Sequence, residues 1–157
     1  MDSKYKIKEL PLEDLNRALT LVWVVFSEFQ APGYSEEGVN HFKNIVLKEE
    51  KVREYILACA LTMFACYDGE NIIGVAAVRV PAHIMFLFVD KEHHRRGVAR
   101  GLFEAILAAY KNKTDEITVN SSPYALEAYH KLGFVDTEPE QEDDGIKYTP
   151  MKYTIKN

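Results

Sequence analysis

The run Leu87-Phe88-Val89-Asp90-Lys91-Glu92-His93-His94-Arg95-Arg96-Gly97-Val98-Ala99-Arg100-Gly101-Leu102-Phe103 decides how this chain folds. An apolar strand stops at Val89, a charged turn follows, and a small-residue loop opens a helix. The first N–H groups of a helix have no acceptor within it. The helix dipole adds positive potential at the same end, and the two together attract an anion. Gly97, Ala99 and Gly101 leave room for a ligand to reach the backbone. Arg95, Arg96 and Arg100 add positive charge beside it in an acidic chain. A phosphate suits this arrangement. The ATP-type loop G-x-x-x-x-G-K-S/T is absent, and no G-x-G-x-x-G follows an early strand, so the common nucleotide motifs are excluded.

Upstream of the turn, Ile84 to Val89 is almost continuously apolar, the pattern of a central strand buried on both faces. Leu61–Tyr67 and Ile72–Val80 read as strands joined by the turn signal Asp68-Gly69-Glu70-Asn71. Lys4 to Glu9 alternates apolar with polar residues and predicts a first strand. Pro11 opens a helix in which Leu12, Leu15, Leu19, Val22, Trp23 and Phe26 fall at helical spacing. It ends near Gln30, before Pro32-Gly33. Ser35-Glu36-Glu37-Gly38 opens a second helix, to about Lys48, with acidic residues at its positive end. Glu50 to Leu57 reads as a short third helix.

Downstream, Gly97 to Tyr110 is helical, with Leu102, Phe103, Ile106, Leu107 and Tyr110 on one face. Ile117 to Asn120 is a short strand. Ser121 or Ser122 caps the next helix, with Pro123 in its first turn and Gly133 as its left-handed end. Phe134-Val135 begins a strand, Glu138 to Gly145 is an acidic loop, and Ile146 to Ile155 is a last strand containing Pro150. This order predicts an α+β domain around a mixed sheet.

A length of 157 residues suits one domain, spanning 1–157, and 47% hydrophobic content is that of a globular chain. A net charge of −5 disfavours nucleic acid as a partner. No apolar stretch approaches the roughly 20 residues that span a bilayer, so no membrane partner is expected. Lys4, Lys6 and Lys8 alternating with Tyr5 and Ile7 do not form a signal-peptide pattern. Cys59 and Cys66, without CxxC spacing, read as reduced core thiols of a cytoplasmic protein.

His94-Arg95-Arg96-Gly97-Val98-Ala99 resembles the acetyl-CoA signature of GNAT-type N-acetyltransferases, Gln/Arg-x-x-Gly-x-Gly/Ala, with His94 where Gln or Arg is usual. The segment Asn120-Ser121-Ser122-Pro123-Tyr124-Ala125-Leu126-Glu127-Ala128-Tyr129-His130-Lys131-Leu132-Gly133-Phe134 resembles the family's second cofactor-side segment: a strand-end Asn, a helix with A-x-x-x-Y, and a K-x-G-F ending. The resemblance is close from Ile72 to Phe134. It implies a GNAT-like, mostly antiparallel mixed sheet flanked by helices, with a splayed strand pair that takes acetyl-CoA. A homodimer is compatible with it, because the last strands of this fold often pair across subunits.

The same resemblance assigns roles. The loop from Arg95 to Gly101 would hold the pyrophosphate, chiefly through backbone N–H groups. Leu87, Phe88 and Val89 would pair with the pantetheine amides as an added strand does, a mode insensitive to side-chain type. A backbone N–H of that strand would stabilise the tetrahedral intermediate. Asn120 would bond the same arm, and Tyr124 would touch the cofactor. Tyr129 stands where many members direct a phenol at the thioester sulfur. His83 lies at the offset from the motif where histone acetyltransferases of the family place a catalytic Glu, and histidine titrates near pH 6.5. Glu28, near the helix end that lines the family's acceptor site, is a rival base.

The expected reaction is direct transfer from acetyl-CoA to a primary amine on a small molecule or peptide, with no metal. The acceptor stays open. Glu36, Glu37, Glu138, Glu140, Glu142, Asp143 and Asp144 are compatible with an acidic approach for a cationic amine or with ordinary solvated loops. A non-catalytic acyl-CoA-binding regulator is the alternative reading, and Tyr129 and His83 argue for the enzyme.

Overall fold

The computed structural model describes residues 4–155, so the ends of the expected 1–157 domain lie outside the described residues. The strands follow the alternating and apolar runs read above. β1 (Tyr5–Glu9), β2 (Leu61–Asp68), β3 (Asn71–Arg79) and β4 (His83–Val89) form an antiparallel meander. β5 (Glu116–Ser121), β6 (Val135–Asp136), β7 (Gln141–Asp143) and β8 (Ile146–Thr154) complete the sheet. Its order is β1-β2-β3-β4-β5-β8-β6, with β7 on β8, and the β4–β5 pair is parallel. The expected mixed, mostly antiparallel sheet is therefore observed.

Helices cover both faces. α1 (Leu15–Val25), α2 (Glu36–His41) and α3 (Glu49–Leu57) lie on one face; Leu15, Val22 and Phe26 pack there against Met63, Val75, Phe86 and Phe88. α4 (Val98–Tyr110) and α5 (Leu126–Leu132) cover the other, where Leu102, Phe103 and Ile106 meet Val78, Ile84, Ile117 and Phe134. Burial on both faces explains why β3 reads as a run of apolar residues rather than an alternation.

Four expectations need correction. The first two helices are segmented: α1 widens into a π turn at Phe26–Gln30 and tightens at Ala31–Gly33, where Pro32 offers no N–H to continue the ladder. α2 likewise passes into a π turn at Phe42–Val46. α5 begins at Leu126, after a turn in which Ser122 Oγ accepts from the Ala125 N–H at 3.2 Å. The acidic loop is a hairpin: β7 pairs with β8 across Asp144 (φ 51°) and Gly145 (φ 78°), the Asp-Gly pair that a tight hairpin turn favours. Cys59 is exposed at a left-handed turn, whereas Cys66 is buried and its thiol is pushed up to about 11 by desolvation and then by Asp68. Among the described residues, no helix is long and apolar enough to cross a membrane.

β4 departs from simple alternation. Val78 faces Ile84 and Ala77 faces Phe86, so Met85 is the extra residue of a bulge. Ile84 therefore packs on the α4 face while Phe86 and Phe88 pack on the α1 face. Met85 packs in neither core and is 37% exposed. On its other edge β4 pairs with β5 only through His83↔Thr118 and Ile84↔Val119. From Met85 to Val89 the two strands part, and a gap opens through the sheet.

Candidate active site

The turn after β4 is built to present backbone N–H groups. Asp90 N–H donates to Ile73 O at 2.8 Å and fixes where the strand ends. Arg95 (φ 65°) and Gly97 (φ 80°) are both left-handed, and an alternation of that kind turns successive N–H groups into one anion-binding concavity. Gly101 N–H donates to Gly97 O at 2.9 Å, which leaves the N–H groups of Val98, Ala99 and Arg100 without a helical acceptor. Val98 is buried beneath them. A Cβ at Gly74 would stand 2.8 Å from Val98 Cγ1, so the glycine lets α4 lie close on the sheet. Two of the three arginines serve the scaffold: Arg96 Nη1 donates to Tyr5 Oη at 3.3 Å and Arg100 Nη2 to Lys131 O at 3.0 Å.

His94 is fixed by two contacts. Its Nε2 lies 2.8 Å from Val89 O, and a carbonyl only accepts, so Nε2 carries the hydrogen. Its ring lies 5.2 Å from that of Phe29. Phe29 in turn stacks on Tyr124 at 5.5 Å, which joins the helix-end segment after α1 to the segment before α5 across the gap. Sequence reading missed Phe29: it continues the spacing of Leu15, Leu19, Val22 and Phe26, and nothing in that local pattern separates a residue of the gap from one more core residue.

Three spaces adjoin one another along the gap. A cleft of about 480 Å³ runs beside the turn, lined by Leu87, Val89, Gly97, Ala99, Tyr124 and Tyr129. A waist of about 30 Å³ shares Leu87, Phe88, Ala125 and Tyr129 with that cleft. It shares Gln30, Met85 and Asn120 with a second cavity of about 330 Å³ beneath the β7–β8 hairpin. Tyr34, His83, Asp143, Asp144 and Tyr148 line this second cavity. Its roof is held by close packing: Ser35 N–H donates to Gly145 O at 3.3 Å, and a Cβ at Gly38 would meet that oxygen at 2.8 Å. Tyr148 Oη donates to Asp143 Oδ2 at 2.7 Å, and Gln30 Nε2 donates to Tyr34 Oη at 2.8 Å.

The titratable candidates separate. Tyr129 is 6% exposed, lines both the cleft and the waist, and its hydroxyl has no hydrogen bond among the described residues. Burial pushes its phenol well above the usual range, so it stays protonated. His83 lines the second cavity with Nδ1 2.8 Å from Thr118 Oγ1. Burial, and then the charge of Arg79, push its imidazole down to about 4, so it is neutral at pH 7. Asn120 stands between waist and second cavity. Glu28 is brought to none of these spaces: it pairs with Lys91 Nζ at 3.0 Å on the exposed rim. Its charge still reaches Tyr124 at the cleft, whose phenol is raised by burial and then by Glu28.

The sequence matches the model of the acetyltransferase (GNAT) domain over residues 30–155. The chain belongs to the GNAT acetyltransferase family. Solved structures agree with this GNAT assignment in fold. A GCN5-related N-acetyltransferase from Rhodopseudomonas palustris superposes with a TM-score of 0.81 at 22% identity, covering 98% of each chain. The PaiA N-acetyltransferase of Thermoplasma acidophilum, in complex with coenzyme A, gives 0.78 at 19% identity over 98% of this chain and 99% of its own. The spermidine N-acetyltransferase of Vibrio cholerae, in complex with CoA and spermine, gives 0.65 at 19% identity over 98% and 97%. No curated protein matches the sequence.

Proposed function

We propose that this GNAT protein moves an acetyl group from acetyl-CoA directly to a primary amine. The observation that carries this reading is the row of three adjoining spaces at the parted β4 and β5, with a wide space on either side of a narrow waist. One substrate enters from each face and the reacting atoms meet in the middle. Holding both in line supplies much of the acceleration that such a transfer needs.

In this reading, acetyl-CoA lies in the cleft beside the turn. The free N–H groups from Val98 to Arg100 take the pyrophosphate, with Arg95 at its exposed side. The open edge of β4 from Leu87 to Val89 pairs with pantetheine, and Tyr124 and Asn120 flank the arm. His94 positions that edge rather than binding the cofactor itself. The amine enters beneath the hairpin, where Asp143 and Asp144 favour a cation on approach. It sheds its proton as it is desolvated, since burial lowers an amine's pKa. His83, neutral and at the cavity wall, relays that proton through water.

The amine nitrogen then attacks the thioester carbon. The N–C bond forms, and the carbonyl oxygen takes up charge that a β4 backbone N–H stabilises. As the C–S bond breaks, Tyr129 donates its hydrogen to the departing thiolate, and the proton that the nitrogen loses in becoming an amide returns to the phenolate through water. A thiol near pKa 8.5 in water is itself raised by the same desolvation that raises the phenol, which keeps the gap between them from widening.

The test is release of free CoA from acetyl-CoA across a panel of primary amines, with the acetylated product identified by mass. Release that depends on one amine class supports the reading. Tight acetyl-CoA binding with no release on any amine favours the non-catalytic regulator.

A further inference from the structure

The waist is the one constriction in that row of spaces, about 30 Å³ against about 480 and 330 Å³ on either side. Tyr129 borders it on the cleft side and Met85 on the hairpin side. A thioester whose sulfur lies at Tyr129 therefore extends its acyl group into the waist, toward Met85. We propose that Met85 is the end wall of the acyl pocket and restricts the donor to an acetyl group, rejecting longer acyl thioesters. This inference rests on the acetyl-transfer reading above.

The size of the space is the first support. A single water needs about 10–15 Å³ of such space, so 30 Å³ takes one small group and no chain. The nature of the wall is the second. Val119, also on the waist, is 2% exposed and belongs to the α4-side core, so it has no room to retreat. Met85 packs in neither core, because the bulge leaves it between the two alternations of β4. Its side chain is thus directed to the gap by the bulge and not by core packing. One methylene too many for a pocket changes discrimination by about 10- to 200-fold. A butyryl group carries two more than acetyl.

Calorimetric titration of the full chain with CoA, acetyl-CoA and butyryl-CoA, in the absence of an amine, tests the assignment. The wild type is expected to bind butyryl-CoA at least about 20-fold more weakly than acetyl-CoA. Met85→Ala should bring that ratio to within about threefold, and the volume-conserving Met85→Leu should keep it. Equal binding of both thioesters by the wild type overturns the proposal. So does a ratio that survives in Met85→Ala or is lost in Met85→Leu. Failure of CoA itself to bind overturns the acetyl-transfer reading instead, and this inference falls with it.

Discussion

His94 donates its Nε2 hydrogen to the carbonyl of Val89, 2.8 Å away, and so ties the phosphate-type turn back to the last residue of β4. The bond spans five residues and holds the strand edge and the helix start in one geometry. It also explains how His94 can stand where the GNAT motif usually has Gln or Arg: each of these side chains carries an N–H that reaches a nearby carbonyl.

His94→Ala is therefore expected to weaken CoA binding about fivefold, the worth of one neutral hydrogen bond of about 1 kcal/mol. His94→Gln should stay within about twofold of the wild type. Calorimetry on both variants checks this; equal loss in the two would show that the ring contact with Phe29, not the bond, is what counts.

Gly74→Ala should destabilise the fold by about 1–3 kcal/mol, the usual penalty for overpacking. The new methyl would sit 2.8 Å from Val98 Cγ1 and 3.1 Å from Leu102 Cδ1. Because Val98 lies in the first turn of α4, CoA affinity should fall with stability. Urea titration and CoA titration on the same samples measure the two effects.

Gly145→Ala should act on the other cavity. Gly145 has φ 78°, and its added Cβ would lie 1.8 Å from Ser35 Oγ. The hairpin must lift off α2, which displaces Asp143 and Asp144. The expected outcome is a rise in KM for the amine of about tenfold or more, with CoA affinity held within about twofold. A parallel loss of CoA binding would mean that the hairpin braces the whole sheet.

Tyr129→Phe removes a hydroxyl that has no hydrogen-bond partner among the described residues, so thermal stability should not fall. If the phenol serves the thiolate, kcat should drop about 100-fold or more, the low end of general-acid contributions. Steady-state kinetics decide it, and an unchanged kcat would remove Tyr129 from the chemistry.

The pH dependence follows from His83. Its folded pKa is pushed down to about 4 by burial and then by Arg79, from the usual 6.5. Above pH 6.5 it is neutral in both states. As pH falls from about 6.5 to 4, the unfolded chain binds a proton that the folded chain refuses, so stability is lost over that window. His83→Gln should lose less stability than the wild type between pH 7 and 4.5 in melting experiments. The same low pKa means that the rise of kcat/KM between pH 6 and 9 belongs to the amine. His83→Gln should lower that curve without moving its midpoint.

Local pattern carried much of this molecule. The apolar run of β4, the glycines of the turn and the spacing of α4 each express a preference of neighbouring residues, so they were legible one segment at a time. The same holds for the left-handed end of α5 at Gly133, with φ 108°. The Asp144-Gly145 pair also carried its hairpin signal, but the acidic residues around it read as a solvated loop.

The amino-acid sequence by itself determined the strand-turn-helix that can hold a phosphate and the order of elements that makes the sheet. The tertiary structure alone decided how far β4 and β5 part, where the bulge turns Met85, and that Phe29 reaches Tyr124 across the gap. It also decided that Glu28 pairs with Lys91, 63 residues away. Those features depend on register and packing between distant segments. No local preference encodes them, because each is set by which faces the two cores bury.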